Sequence, residues 1–149
     1  MSKLRSTGDR KADVLKSLGG QKDLWLATAD RSGRPHLIAV SAWWNGTHVV
    51  IATSGTSRTA RNLTDNPLAR LGIGSPEDVV AVDATADVPM AVEDSANIAT
   101  GFAEAVGWDP REVGGGWVFF RLALVRIQAY RGYDEFEGRD VMRNSSWLA

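Results

Sequence analysis

Val49-Val50-Ile51-Ala52-Thr53-Ser54-Gly55-Thr56-Ser57-Arg58-Thr59-Ala60-Arg61-Asn62-Leu63-Thr64-Asp65-Asn66-Pro67 carries the grammar of a strand, a hydroxyl-rich turn and a short helix. The apolar lead-in reads as a strand, and Gly55 allows a sharp turn. Thr56 or Ser57 can cap a helix, and Pro67 stops it by holding Asn66 out of helical geometry. Arg58 and Arg61 fall near the start of that helix, where cations oppose the dipole by a few tenths to roughly 1 kcal/mol each. Two readings fit. Either an anion docks there on free N–H groups, hydroxyls and guanidinium groups, or the arginines belong to a solvated helix face.

Working upstream, Asn45-Gly46 is a strong hairpin signal between Arg34–Trp44 and Thr47–Ser54. A two-residue loop sets Trp44 opposite Thr47 and Ile38 opposite Thr53. Before it, Asp23–Ala29 reads as a strand and Asp30–Gly33 as a turn. Residues 1–8 read as frayed and Asp9–Leu18 as an amphipathic helix stopped by Gly19-Gly20. Downstream, Leu68–Ile73 is a strand. Val79–Val92 alternates as another, with Pro89 implying an edge or bulge. Asp94 or Ser95 caps a helix that buries Ile98 and Phe102 and ends at Gly107. Gly114–Gly116 joins it to a long strand, Trp117–Tyr130, and the tail from Arg131 is too loosely patterned for a regular element. Six strands joined mostly by tight turns predict a closed or partly closed antiparallel barrel. Residues 1–22 read as an arm with a short helix, and 23–149 as a single domain.

Composition narrows the function. A net charge of −1 gives no global field toward nucleic acid or anionic membrane, and no apolar run has spanning length. The absence of cysteine removes thiolate chemistry and fits a reducing cytoplasm. His36 and His48 have no spacing that suggests a metal site, and Asp83 and Asp87 read as solvent-facing. There is no nucleophile elbow, Walker loop or dinucleotide fingerprint, and no residue is a catalytic candidate by itself. An enzyme built this way relies on a bound cofactor for its chemistry. Six tryptophans suggest a ligand pocket or an interface.

Leu24–Thr28, Gly33-Arg34-Pro35-His36, Trp43-Trp44-Asn45-Gly46, Thr53–Pro67 and Val125–Tyr130 together resemble the pyridoxamine 5′-phosphate oxidase-like split-barrel family. The likeness is strongest to its flavin- and deazaflavin-dependent actinobacterial branch. It implies a mainly β fold, a six-stranded antiparallel split barrel of Greek-key type with short peripheral helices. It also implies a homodimer with cofactor sites in the clefts between subunits. Carried over, Ser57, Arg58, Arg61 and Asn62 meet the phosphate end. Ile38, Val40 and Ser41 meet the ring, and Thr53 and Ser54 lie under the cofactor. Thr59 falls in the phosphate group too, where many relatives carry Lys, so one cationic contact is missing. The cofactor so implied is FMN or the deazaflavin F420; the missing contact weakens the expected hold on FMN and leaves room for F420, haem or no cofactor.

The function so implied is hydride transfer between a flavin or deazaflavin and a small electron-poor substrate. The alternative is a carrier of flavin, deazaflavin or haem without turnover. A nucleic-acid binder using exposed aromatic rings has no basic stripe to support it. The expected partners are a second copy of the chain and a small molecule, with no nucleic acid or membrane.

Overall fold

The computed structural model describes residues 4–149. Nine strands form one antiparallel sheet, and six of them close into a barrel. These six are β1 (Asp23–Ala29), β2 (Pro35–Trp44), β3 (His48–Ser54), β4 (Leu68–Ser75), β5 (Asp78–Ala86) and, after the two-residue β6 (Met90–Ala91), β7 (Trp117–Tyr130). Around the ring the order is β1, β2, β3, β7, β5, β4 and back to β1. β8 (Asp140–Arg143) and β9 (Ser146–Trp147) extend the sheet beyond the C-terminal half of β7. Alternation puts Leu24, Leu26, Ile51, Leu71, Val82, Leu122 and Ile127 inside the barrel. Each such side chain contributes about 1.5–3 kcal/mol on burial.

Three α-helices cover what the barrel leaves open. α1 (Thr7–Gly20) buries Val14 and Leu18 in the main core. α2 (Arg58–Asp65) buries Ala60 and Leu63 there as well. α3 (Ala96–Val106) lies on the outer face, where Phe102 and Ala99 meet Val50, Ala52 and Phe119 in a second cluster. Trp43 and Trp117 pack on that cluster. A Cβ at Gly101 of α3 would run into the Trp43 indole, so helix and strand approach closely.

Several expectations are corrected. α1 starts at Thr7, not Asp9, because Ser6 and Asp9 form a capping box, and it runs through both glycines to Gly20. Residues 4–8 are therefore structured in large part, while Met1–Lys3 lie outside the described residues. The hairpin pairs Trp44 with Val49 and Ala42 with Ile51, two residues out of the predicted register. The Asn45 side chain accepts from the N–H groups of Thr47 and His48 and widens the loop. A shift of two preserves the inside–outside pattern, so periodicity could not detect it. Val79–Val92 is two pieces, since β5 ends at Ala86 and Pro89 precedes β6. The tail is not irregular: it makes the β8–β9 hairpin, whose left-handed turn residues are Asn144 and Ser145. Asp83 lies on β5 paired with Arg70, and Asp87 beyond its end paired with Arg121.

Candidate functional site

The seam between β2 and β3 is paired only from Ala42 to Trp44. Beyond it, residues 35–41 pair with β1 on one side and with no described strand on the other. Half of the seam is thus a split, with an open backbone edge of N–H and C=O groups. Ile38 and Val40 of β2 and Thr53 of β3 belong by alternation to the inward rows. Ser41 and Ser54 belong to the outward ones. Ile38 sits opposite Leu26 yet stays 40% exposed, because nothing covers it on the β3 side.

At the foot of the split the chain turns into α2. Thr53 and Ser57 share a 2.8 Å hydroxyl–hydroxyl hydrogen bond, and Ser54 bonds Thr56 at 3.1 Å. Ser57 caps the helix by accepting from Ala60 N–H at 3.1 Å. The backbone N–H groups of Arg58 and Thr59 have no partner among the described residues. Beside them lies a cavity of about 210 Å³ lined by Asp30, Arg34, Arg58, Arg61 and Asn62. None of its three arginines makes an ion pair with a described residue. Asp30, the one carboxylate there, is committed to its own turn, accepting from the N–H groups of Ser32 and Arg34 at 2.9 Å each. Unpaired cations, free N–H groups and a helix start in one cavity suit a phosphate group.

Arg58, Arg61 and Asn62 therefore come together as the sequence suggests. Asn62 is 5% exposed, and its amide donates to Thr28 at 3.1 Å. Thr59 is 2% exposed and turned into the protein, so it offers no surface to a ligand. Arg34 was not singled out as a site residue. It reaches the cavity from the β1–β2 turn, and its one signal is a cation directly after the left-handed Gly33.

A second concavity, about 450 Å³, crosses the outer face of β1, β4, β5 and β7. Ala27, Gly72 and Ala81 form a low floor, while Trp25, Leu37, Arg70, Tyr130, Phe136 and Arg139 stand around it. Arg70 donates to Gln128, which in turn donates to Asp140. Burial pushes the Asp140 carboxyl up, but hydrogen bonds from Arg143, Gln128 and Arg126 outweigh it and hold the carboxyl at about 2. No sequence motif announces this groove, because its walls come from distant strands and the tail. Among the described residues no group of His, Cys, Asp and Glu could hold a metal ion, and no helix is long and apolar enough to cross a membrane.

Comparison with known proteins bears on the fold and the family. No curated protein matches the chain. Among solved structures, an F420 reductase superposes with a TM-score of 0.64 at 15% identity, over 75% of this chain and 93% of its own. A haem-binding protein from Mycobacterium smegmatis gives 0.69 at 20% identity, over 97% and 60%. HutZ, the haem storage protein from Vibrio cholerae, gives 0.62 at 20% identity, over 92% and 99%. At these identities the likeness is one of fold. In sequence, residues 12–127 match the family described as pyridoxamine 5′-phosphate oxidase. With that match spanning most of a barrel split between β2 and β3, the chain belongs to the pyridoxamine 5′-phosphate oxidase family.

Proposed function

We propose that the chain is a cytoplasmic oxidoreductase that binds a phosphate-bearing flavin or deazaflavin and acts on a small electron-poor substrate. The observation that carries this reading is the cavity at the start of α2, where three arginines outnumber one aspartate and none of the three makes an ion pair with a described residue. A ring extending from a phosphate held there would run along the open edge of β2, whose backbone groups can pair with its polar edge. Once bound, such a ring supplies hydride transfer, and the protein supplies binding, orientation and a preorganised field. Arg34 brings a third cation to the cavity, and three arginines facing one aspartate match a dianionic phosphomonoester better than a singly charged diester. FMN is therefore the favoured cofactor, with F420 second.

The reading includes a second copy of the chain. Trp25, Leu37 and Leu68 are 53%, 64% and 64% exposed, on the side of the barrel that carries the groove. Pairing two copies across that side would cover these residues and set the groove of one against the split of the other. The aromatic and cationic walls of the groove suit a planar substrate bearing an anionic group.

Absorption and fluorescence titrations with FMN, riboflavin and F420 test the cradle. Riboflavin, lacking the phosphate, binds at least about tenfold more weakly than FMN, since each charge-assisted hydrogen bond is worth about 1.5–3 kcal/mol. Arg34→Ala, Arg58→Ala and Arg61→Ala each lose about tenfold or more in FMN affinity. For the two helix arginines, apo thermal stability stays unchanged or rises, because a cation at the helix start opposes the dipole. Equal binding of FMN by all four proteins sinks the reading.

Haem carriage without turnover is the second reading. One observation favours it: His36 stands in the part of β2 that pairs with β1 and not with β3, and its ring has no hydrogen bond to a described residue, so a nitrogen is free for iron. A haem titration of wild type and His36→Ala decides it. A Soret shift lost in the variant supports haem, and the same spectrum in both removes it.

A further inference from the structure

We infer that Asp23 and Trp108 hold the hydroxyl of Ser41 as an acceptor-only group, so that this end of the split selects a ligand edge carrying an N–H donor. The inference rests on the proposed reading that a flavin-like ring lies along β2. Ser41 is the last residue of β2 before the seam with β3 closes at Ala42. Its Oγ lies 3.2 Å from Asp23 Oδ1 and 3.1 Å from Trp108 Nε1.

Both neighbours are fixed in place. Asp23 and Ser41 are direct cross-strand partners, so the ladder itself sets their approach. Trp108 follows the left-handed Gly107 that ends α3. Its ring stands edge-on to Phe102 at 5.5 Å and to Trp117 at 5.7 Å. Trp117 is in turn the partner of Ser54 on β3. The indole thus packs between Ser41 of β2 and Trp117 of β7, near the end of β3.

The donor and acceptor inventory then leaves one arrangement. An indole N–H can only donate, and a carboxylate can only accept. The single hydroxyl proton of Ser41 goes to Asp23, and one of its lone pairs receives the Trp108 N–H. One lone pair remains for a ligand. A ligand carbonyl or imine nitrogen would meet it lone pair against lone pair, whereas a ring N–H is matched. A flavin offers N–H at N3 in both redox states, and at N5 only when reduced. Ser41 is in this sense a specificity residue, and Asp23 and Trp108 are positioning residues.

The test uses FMN with its N3-methyl analogue, and oxidised with anaerobically reduced FMN, as two affinity ratios. They are measured on wild type, Ser41→Ala, Asp23→Asn and Trp108→Phe. Wild type favours the N–H-bearing member of at least one pair. Ser41→Ala lowers that ratio by about fivefold, the worth of one neutral hydrogen bond. Asp23→Asn lowers it as well, because the amide can donate to Ser41 and turn the hydroxyl proton toward the ligand. Trp108→Phe keeps or raises it, since the proton stays on Asp23 while a lone pair is freed. A general loss of structure would not move Asp23→Asn and Trp108→Phe in opposite directions. Tight FMN binding with both ratios the same in wild type, Ser41→Ala and Asp23→Asn overturns the assignment of Ser41 alone. Failure of wild type to bind FMN in either state overturns the inference together with the reading beneath it.

Discussion

A methyl group at position 55 has nowhere to go. Gly55 N–H donates to the Gly116 carbonyl at 2.7 Å, and a Cβ would sit 2.8 Å from that same oxygen. Gly55 stands in the turn expected of it, but its φ is not left-handed, and what demands glycine there is the close backbone approach. Gly55→Ala is expected to lower the melting temperature and weaken phosphate binding together, because it pries the start of α2 away from β7. Thr59→Ala should behave differently. Its side chain is buried under α2, so FMN affinity should stay within about twofold, inside the spread of a contact that is not made. A tenfold loss in a titration would place Thr59 at the phosphate after all. These two residues mark what could be read one position at a time. Ser57, Arg58 and Arg61 announced themselves through residue type at a helix start. Whether Thr59 faced outward depended on helix phase, and whether Arg34 folded back over the same cavity depended on a turn twenty-five residues earlier in the chain than Thr59. The tryptophans show the same limit. Trp43, Trp108 and Trp117 pack beneath α3 and Trp44 and Trp147 pack on the main core, leaving Trp25 as the one that stands open.

Elements were legible where one period ran unbroken. β1, α2 and β7 fall on the residues read for them, because each has a clear alternation or a capped helix between strong stops. The tail was not legible, because what orders it is polar and comes from the other end of the chain. Arg10, 5% exposed, donates through one nitrogen to the carbonyls of Ala129, Glu135 and Gly138. Arg5 makes a 2.6 Å ion pair with Glu135, and a hydrogen bond from Arg5 holds the Glu135 carboxyl well below the usual range, at about 2. α1 therefore latches the loop that carries Phe136 and Arg139 into the groove. A carboxylate whose pKa is depressed on folding stabilises the fold above its unfolded value and loses that contribution as pH falls toward its folded value. Wild type should melt well above Glu135→Gln at pH 6, and the gap should close between about pH 4.5 and 2. A gap constant across that range would mean that the ion pair does not carry the latch. Arg10→Ala should cost at least about 2 kcal/mol by stranding buried carbonyls, read as a shift in denaturation midpoint.

At the scale of the molecule, the barrel followed from strand count and turns, while its half-open seam was expected only from the family resemblance. The period-two pattern of β2 is the same where it pairs with β3 and where it parts from it. The open apolar side predicts association. Light scattering at micromolar concentration should report a dimer, and Trp25→Lys together with Leu37→Lys should shift it toward monomer while leaving the melting transition cooperative. A wild-type monomer would remove the shared site. A strand as long and apolar as β7 would by itself suit a subunit interface. In the folded chain that length is already used, since β7 pairs with β3, β5, β6 and β8 and packs Phe119 under α3. The β3–β7 pairing has a further consequence, for synthesis. Every residue of β3 finds its β7 partner more than sixty positions later, from Ser54 with Trp117 to His48 with Ala123. On the ribosome the strand leading into the arginine cradle emerges early with only its short hairpin to β2 beside it, and lacks its second neighbour until most of the chain has followed, as expected of non-local sheets. A nascent chain stalled before β7 should then be open to protease and indifferent to FMN. Protection should arrive abruptly once residue 123 has cleared the exit tunnel.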